Sequence, residues 1–520
     1  MCCGKNRRII LVEPGFPMNQ PQDPSSSASA ASDPAAIWKA GVGELNAGRF
    51  AAAAQIARSG LARHDGDARL WQLLALASRG LDEMGDAISA FERAAALNPA
   101  DPLIAHGLAR SQLEAGLSST ASFENARRLA PEDRDILRGL AAARYADRDI
   151  DGAIAELDRE LARAPDWQEG QATVARLRWI SGQRSGHLSS LDTAIAARPR
   201  AVALWQQRIN LLVDSENYSD ALATVERARS ATGDRQAFDW HYAVCCAELG
   251  MTSEADKAFG QLGRQQPLQT IVRVVRHLLR AGRIELAART AEANAPHDPT
   301  YQLWPYLASA WRLLGDPRWN WLEGDPRLVG IYDLADRIDM DGLAACLRRL
   351  HLASDQPMEQ SLRGGTQTDG PLYSRLEPEI RELRRQIVAV VQQHIAQLPP
   401  VDPRHPILKE RRDAAVGFSG SWSVRLTDKG FHVDHVHPAG WFSSAFYVTL
   451  PKASMGGAAS DGYFTLGELR DLLPDLKPFR LIEPAEGRLV LFPSTMWHGT
   501  RPFEKGERMT VAFDIARPPR

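Results

Sequence analysis

Apolar positions along this chain change period once, near residue 418. From about Pro34 to about residue 315 they recur with helical spacing in an Ala- and Leu-rich sequence. From Phe418 onward they alternate: Trp422-Ser423-Val424-Arg425-Leu426 and Phe446-Tyr447-Val448-Thr449-Leu450 have period two. Gly487 to Phe492 reads as a buried strand ended by Pro493, and Arg508 to Ile515 as a last strand. The pattern predicts a multidomain α + β protein, helical first and strand-rich last. Several short strands with Gly/Pro turns in about 100 residues suggest a double-sheet jelly roll.

The helical part repeats. Pro99, Pro131, Pro165 and Pro199 are spaced by 32, 34 and 34 residues. Ahead of each proline, small and large apolar residues recur: Trp71, Leu74, Ala87, Phe91 and Ala94, then Phe123 and Ala126, Ala153 and Leu157, Leu191 and Ala194. Trp205, Ala221, Val225 and Ala228 begin a further unit. Small residues let two helices approach, a large aromatic fills the gap, and proline stops the second helix. This pattern resembles the tetratricopeptide repeat, a helix-turn-helix unit of 34 residues. About seven to nine units fit between residues 34 and 315. The resemblance implies an α-solenoid that binds a protein or peptide partner in its groove.

Between residues 316 and 415 the repeat dissolves into a helical connector, with helices expected near Leu343–Ser354 and Pro378–Gln397 around the Gly364-Gly365 loop. Residues 416–520 are left for the jelly roll. Residues 1–33 end in a Ser/Ala tract too polar to offset its ordering entropy, and are expected to be a flexible tail. A net charge of -2, from 62 basic and 64 acidic residues, argues against a nucleic-acid or membrane-surface role. No apolar run is long enough to span a membrane. Cys2, Cys3, Cys245, Cys246 and Cys346 form no disulfide framework, and suggest a reducing, cytoplasmic setting.

Against this background Phe431-His432-Val433-Asp434-His435-Val436-His437-Pro438 stands out. Histidine and aspartate are costly to bury unless they are paired or bind a metal. On a regular strand His435 and His437 share one face, while His432 and Asp434 form a second pair. Either pair could supply two ligands, and His498 a third, leaving half of an octahedral shell open. Downstream, Arg508 and Thr510 share a strand face, where a guanidinium fork beside a hydroxyl suits a carboxylate.

Residues from about 360 to the end resemble the 2-oxoglutarate- and iron(II)-dependent oxygenases, especially a bacterial-type branch often joined to tetratricopeptide repeats. The matching pieces are Gly364 to Thr368, Trp422 to Val424, Phe431 to Pro438, Trp441 to Pro451, Gly487 to Pro493, Trp497 to Thr500 and Arg508 to Thr510. The resemblance implies a dioxygenase, a hydroxylase with iron(II), 2-oxoglutarate and O2, assisted by ascorbate in vitro. Its His-x-Asp motif falls on His435 and His437, its distal histidine on His498, and its Arg-x-Ser/Thr on Arg508 and Thr510. Tyr447 is a further candidate for the cosubstrate carboxylate. In the branch this chain resembles, position 437 is commonly histidine; such a set lacks the carboxylate usual in the broad superfamily, which His432, Asp434 and His498 would restore. Both ligand sets stand at this point. A protein or peptide substrate is the expectation; a small-molecule hydroxylase and a non-catalytic scaffold are the alternatives.

Overall fold

A computed structural model of the chain describes residues 33–263, 266–358, 360–451 and 460–518. The expected tail, with Cys2 and Cys3, lies outside the described residues but for Asp33, which caps the first helix.

Helices Pro34–Asn46 and Phe50–Leu61 form a first antiparallel pair, Ala68–Gly80 and Met84–Leu97 a second. The series runs on to Leu268–Arg280 and Ile284–Asn294, giving eight pairs among the described residues. Trp304–Leu314 and the short Arg318–Leu322 close it. Two devices set the period. Asp33, Asp67, Asp101 and Asp133 each accept from a backbone N–H at the start of a pair. The turn inside each pair needs one left-handed residue: Gly48, Asp82, Gly116, Arg148, Gly182, Glu216, Gly250 and Gly282, in steps of 32 to 34. Ala87, Phe91, Ala94, Phe123 and Ala126 are buried between helices, as the repeat pattern requires.

Nine strands follow among the described residues: β1 (Gly330–Asp333), β2 (Leu362–Gln367), β3 (Phe418–His432), β4 (Phe442–Thr449), β5 (Phe464–Leu466), β6 (Arg480–Ile482), β7 (Arg488–Pro493), β8 (His498–Thr500) and β9 (Arg508–Ile515). They form a six-stranded sheet, β1-β7-β4-β9-β3-β2, and a three-stranded sheet, β6-β5-β8, with every pairing antiparallel. The larger sheet thus takes its two edge strands from residues 330–333 and 362–367, ahead of the alternating segment. One core joins Phe442, Phe446, Leu491 and Phe513 of the large sheet to Phe464 and Ile482 of the small one. Helices Met340–Leu350 and Pro378–Gln397 contribute Leu343, Leu347, Ile380 and Ile387 to the same core.

The solenoid and the jelly roll are packed together along the edge that carries the intra-pair turns. Leu376 N–H donates to Ala115 O at 3.2 Å, Ser354 N–H to Ile180 O at 2.9 Å, and Trp179 Nε1 to Gln356 O at 2.9 Å. Arg363 reaches Glu216 at 2.8 Å. At the far end Leu278, Leu303, Tyr306 and Trp311 share a buried cluster with Val436, Leu469, Leu472, Leu476 and Trp497. The last helices therefore complete the core beneath β8.

Candidate metal centre

β3 ends at His432, and the chain then leaves the large sheet. A regular strand over 432–437, on which the face-sharing expectation rests, does not form. His435 instead makes an isolated antiparallel bridge to His498 on β8, with N–H···O distances of 2.9 and 3.0 Å in the two directions. His437 N–H donates to Ser494 O at 3.0 Å, ahead of a turn at Pro438. These anchors bring His435, His437 and His498 together: one ring nitrogen of each lies within 4.8 Å of the others.

Each imidazole is held from behind at Nδ1. His435 Nδ1 faces Val433 O at 2.8 Å, and His498 Nδ1 faces Met496 O at 3.0 Å. His437 Nδ1 lies 3.3 Å from Asp514 Oδ2. An acceptor at Nδ1 fixes the tautomer with hydrogen there and leaves the Nε2 lone pair for a ligand. Burial disfavours the charged form of His435 and His498: His498 is lowered to about 3 and His435 well below its ordinary range, first by desolvation and then by neighbouring histidines. Neutral imidazoles are the form that binds metal.

The second candidate pair does not gather with His498. Asp434 is buried and turned to Arg470, accepting from its backbone N–H at 2.7 Å, from Nε at 2.9 Å and from Nη2 at 2.7 Å. His432 stays near the first set but in another role. Its ring stacks 5.9 Å from that of His435, and the Ser361 hydroxyl sits 3.1 Å from both His432 Nδ1 and His435 Nε2. Burial, with Arg508 as the next cause, lowers His432 to about 3.

Arg508 is buried at 2% exposure, with Nη1 donating to Gly462 O at 2.6 Å and its Cζ 5.0 Å from the Tyr447 ring centroid. The register pairs Tyr447 with Thr510, so both belong to the neighbourhood of Arg508 on β9. Among the described residues, the Tyr447 hydroxyl and Arg508 Nε have no hydrogen-bond partner. A buried guanidinium and a buried phenol with spare donors are costly unless an anion meets them. Glu507 does not meet them; it is taken up by Arg348 and Arg425.

Residues 420–514 match the family model described as "Putative 2OG-Fe(II) oxygenase", and residues 39–102 and 106–166 match the tetratricopeptide repeat model. The chain carries tetratricopeptide repeats and a C-terminal 2OG-Fe(II) oxygenase domain. No curated protein matches it. Among solved structures it is similar to an O-GlcNAc transferase mutant of Thermobaculum terrenum, at 19% identity over 26% of this chain and 27% of that one, TM-score 0.25. The chain thus spans about a quarter of that transferase's length. MamA from Desulfovibrio magneticus RS-1 is similar at 12% identity over 33% of this chain and 96% of that one, TM-score 0.29. A thermophilic TPR protein of Thermus thermophilus matches at 19% identity over 32% and 93% of the two chains, TM-score 0.25.

The residues of the oxygenase domain fit what its family implies. Three imidazole donors are compatible with the iron(II) that the family implies together with 2-oxoglutarate. The spare donors of Arg508 and Tyr447 fit the far carboxylate of 2-oxoglutarate. Four contributors to this site escape a reading of the sequence: Ser361, Ser443, Arg470 and Asp514. Only Asp514 leaves a signal, as a charged residue inside the apolar run Val511 to Ile515 in period-two step with Arg508 and Thr510.

Proposed function

We propose that this protein is a 2-oxoglutarate- and iron(II)-dependent dioxygenase that hydroxylates a protein or peptide recruited by its repeats. The observation that carries the proposal is the convergence of His435, His437 and His498 in a domain that also buries Arg508 and Tyr447 with unused donors. In this reading the three histidines hold the metal through Nε2. Arg508, with Tyr447 and Thr510, anchors the cosubstrate by its distal carboxylate. Ser361 and His432 flank His435 and shape its surroundings. When bound, iron(II) supplies the oxidising chemistry: 2-oxoglutarate and O2 become succinate and CO2, and the second oxygen atom enters a substrate C–H bond as hydroxyl.

The repeats support a macromolecular substrate because such arrays bind extended peptides. Their packing against the oxygenase domain, through Trp179, Glu216 and Pro305, supports delivery of a recruited segment to that domain. A cytoplasmic location belongs to the same proposal, and Cys245, Cys246 and Cys346 are free thiols. The missing carboxylate favours one rival, a scaffold whose barrel has lost turnover. Purified protein with iron(II), ascorbate and 2-oxoglutarate distinguishes the two. The oxygenase reading predicts slow succinate formation even without substrate; no succinate at all would favour the scaffold.

A further inference from the structure

The ligand set of three histidines has an electrostatic deficit. A set of two histidines and one carboxylate puts one negative charge on iron(II); three neutral imidazoles put none. That charge is recovered one ring further out. Asp514 Oδ2 lies 3.3 Å from His437 Nδ1, and the Asp514 side chain is 1% exposed. The other carboxylate oxygen is pinned, since the Ser443 hydroxyl donates to Oδ1 at 2.7 Å. Ser443 and Ser494 hydroxyls are 3.0 Å apart, and Ser494 O holds the backbone of His437. One compact unit therefore fixes the main chain and faces the ring of the histidine that stands where the broad superfamily has aspartate.

Val433 O and Met496 O, the acceptors behind His435 and His498, are neutral carbonyls. His437 is backed by a carboxylate. A carboxylate this close to a metal-binding imidazole attracts its ring N–H, raises the basicity of the ligating nitrogen and orients the ring. Resting on the iron-centre reading above, we propose that Asp514 is a positioning residue for the metal. It acts through His437 and supplies, at one remove, the negative charge that the three-histidine set lacks. Iron(II), three neutral imidazoles and Asp514 then carry the same summed charge as iron(II) with two imidazoles and one carboxylate.

The test is anaerobic iron(II) binding to the full chain against a competing chelator, with thermal melting of the metal-free protein alongside. Asp514→Asn keeps size and a hydrogen-bond acceptor but removes the charge. It is expected to weaken iron(II) binding by roughly 10- to 100-fold while the metal-free melting point stays close to wild type. The visible band of the iron(II)–2-oxoglutarate complex should move to shorter wavelength, because the iron has become poorer in electrons. Ser443→Ala, which frees the carboxylate without removing it, should give a smaller loss and decides the matter if Asp514→Asn does not fold. Unchanged affinity in the variants, with tight binding in wild type, overturns the role given to Asp514. Failure of the wild-type protein itself to bind iron(II) overturns the iron centre, and this role with it.

Discussion

The indole Nε1 of Trp497 donates to the carbonyl of Pro305 at 3.0 Å, across 192 residues of sequence. Trp497 precedes His498, so the solenoid's last long helix holds the neighbour of a candidate ligand. The Trp497 ring also meets Tyr306 edge-on, with centroids 5.3 Å apart. Removing it leaves a cavity in a shared core and deletes that long-range hydrogen bond. Trp497→Ala is expected to destabilise the whole chain by about 3–5 kcal/mol, read by denaturant unfolding, and to lower iron content more than a distant core substitution of equal cost.

Asp82 and Glu216 occupy left-handed turn positions, with φ of 60° and 59°, where most repeats have glycine. Such a conformation costs a non-glycine residue about 1–2 kcal/mol. Both side chains reach the oxygenase domain, Asp82 toward Arg384 at 3.5 Å and Glu216 to Arg363 at 2.8 Å. Glu216→Gly should leave the melting temperature nearly unchanged, since relief of strain offsets the lost ion pair. Hydrogen exchange over residues 360–367 should nonetheless rise. Unchanged exchange there would remove Glu216 from the coupling between the two parts.

Asp369 of the C-terminal part lies against Tyr145 of the solenoid, and burial pushes its carboxyl up to about 7 against an ordinary 3.8. A folded-state value above the unfolded one contributes stability that is complete below 3.8 and lost as pH rises through 7. Asp369→Asn does not titrate. Its melting temperature relative to wild type should therefore climb between pH 5 and pH 8, by the equivalent of about 2–3 kcal/mol. A difference independent of pH would contradict this assignment.

Arg508→Ala removes the proposed anchor for 2-oxoglutarate while leaving the three histidines in place. It is expected to raise the apparent Kd for 2-oxoglutarate by at least tenfold, about 1.4 kcal/mol, with iron content retained. Tyr447→Phe, which deletes only the phenol hydroxyl, should give a smaller loss. Calorimetric titration of the iron-loaded protein measures both. An unaltered Kd in Arg508→Ala would point to a metal enzyme that uses no keto acid.

Much of this architecture is legible along the chain because its causes are periodic. Prolines 32 to 34 residues apart and alternating Ala and aromatic positions give the solenoid, and period two from Phe418 gives the large sheet's centre. β1 and β2 are less legible: at four and six residues, within a stretch dominated by helices, they are held by pairing to β7 and β3 rather than by local preference. The histidine cluster is visible in the sequence, but not its grouping. Strand alternation gives two equivalent pairs, and the tie is broken only in three dimensions, where Arg470 takes Asp434 and His498 bridges His435. No local signal in the sequence encodes that 36-residue separation between Asp434 and Arg470.

The central claim is that iron(II) sits on His435, His437 and His498. Iron stoichiometry after anaerobic reconstitution tests it most directly, in wild type, His437→Ala and Asp434→Asn. About one iron per chain is expected in wild type and Asp434→Asn, with little in His437→Ala. Loss of iron in Asp434→Asn together with full occupancy in His437→Ala would contradict the assignment.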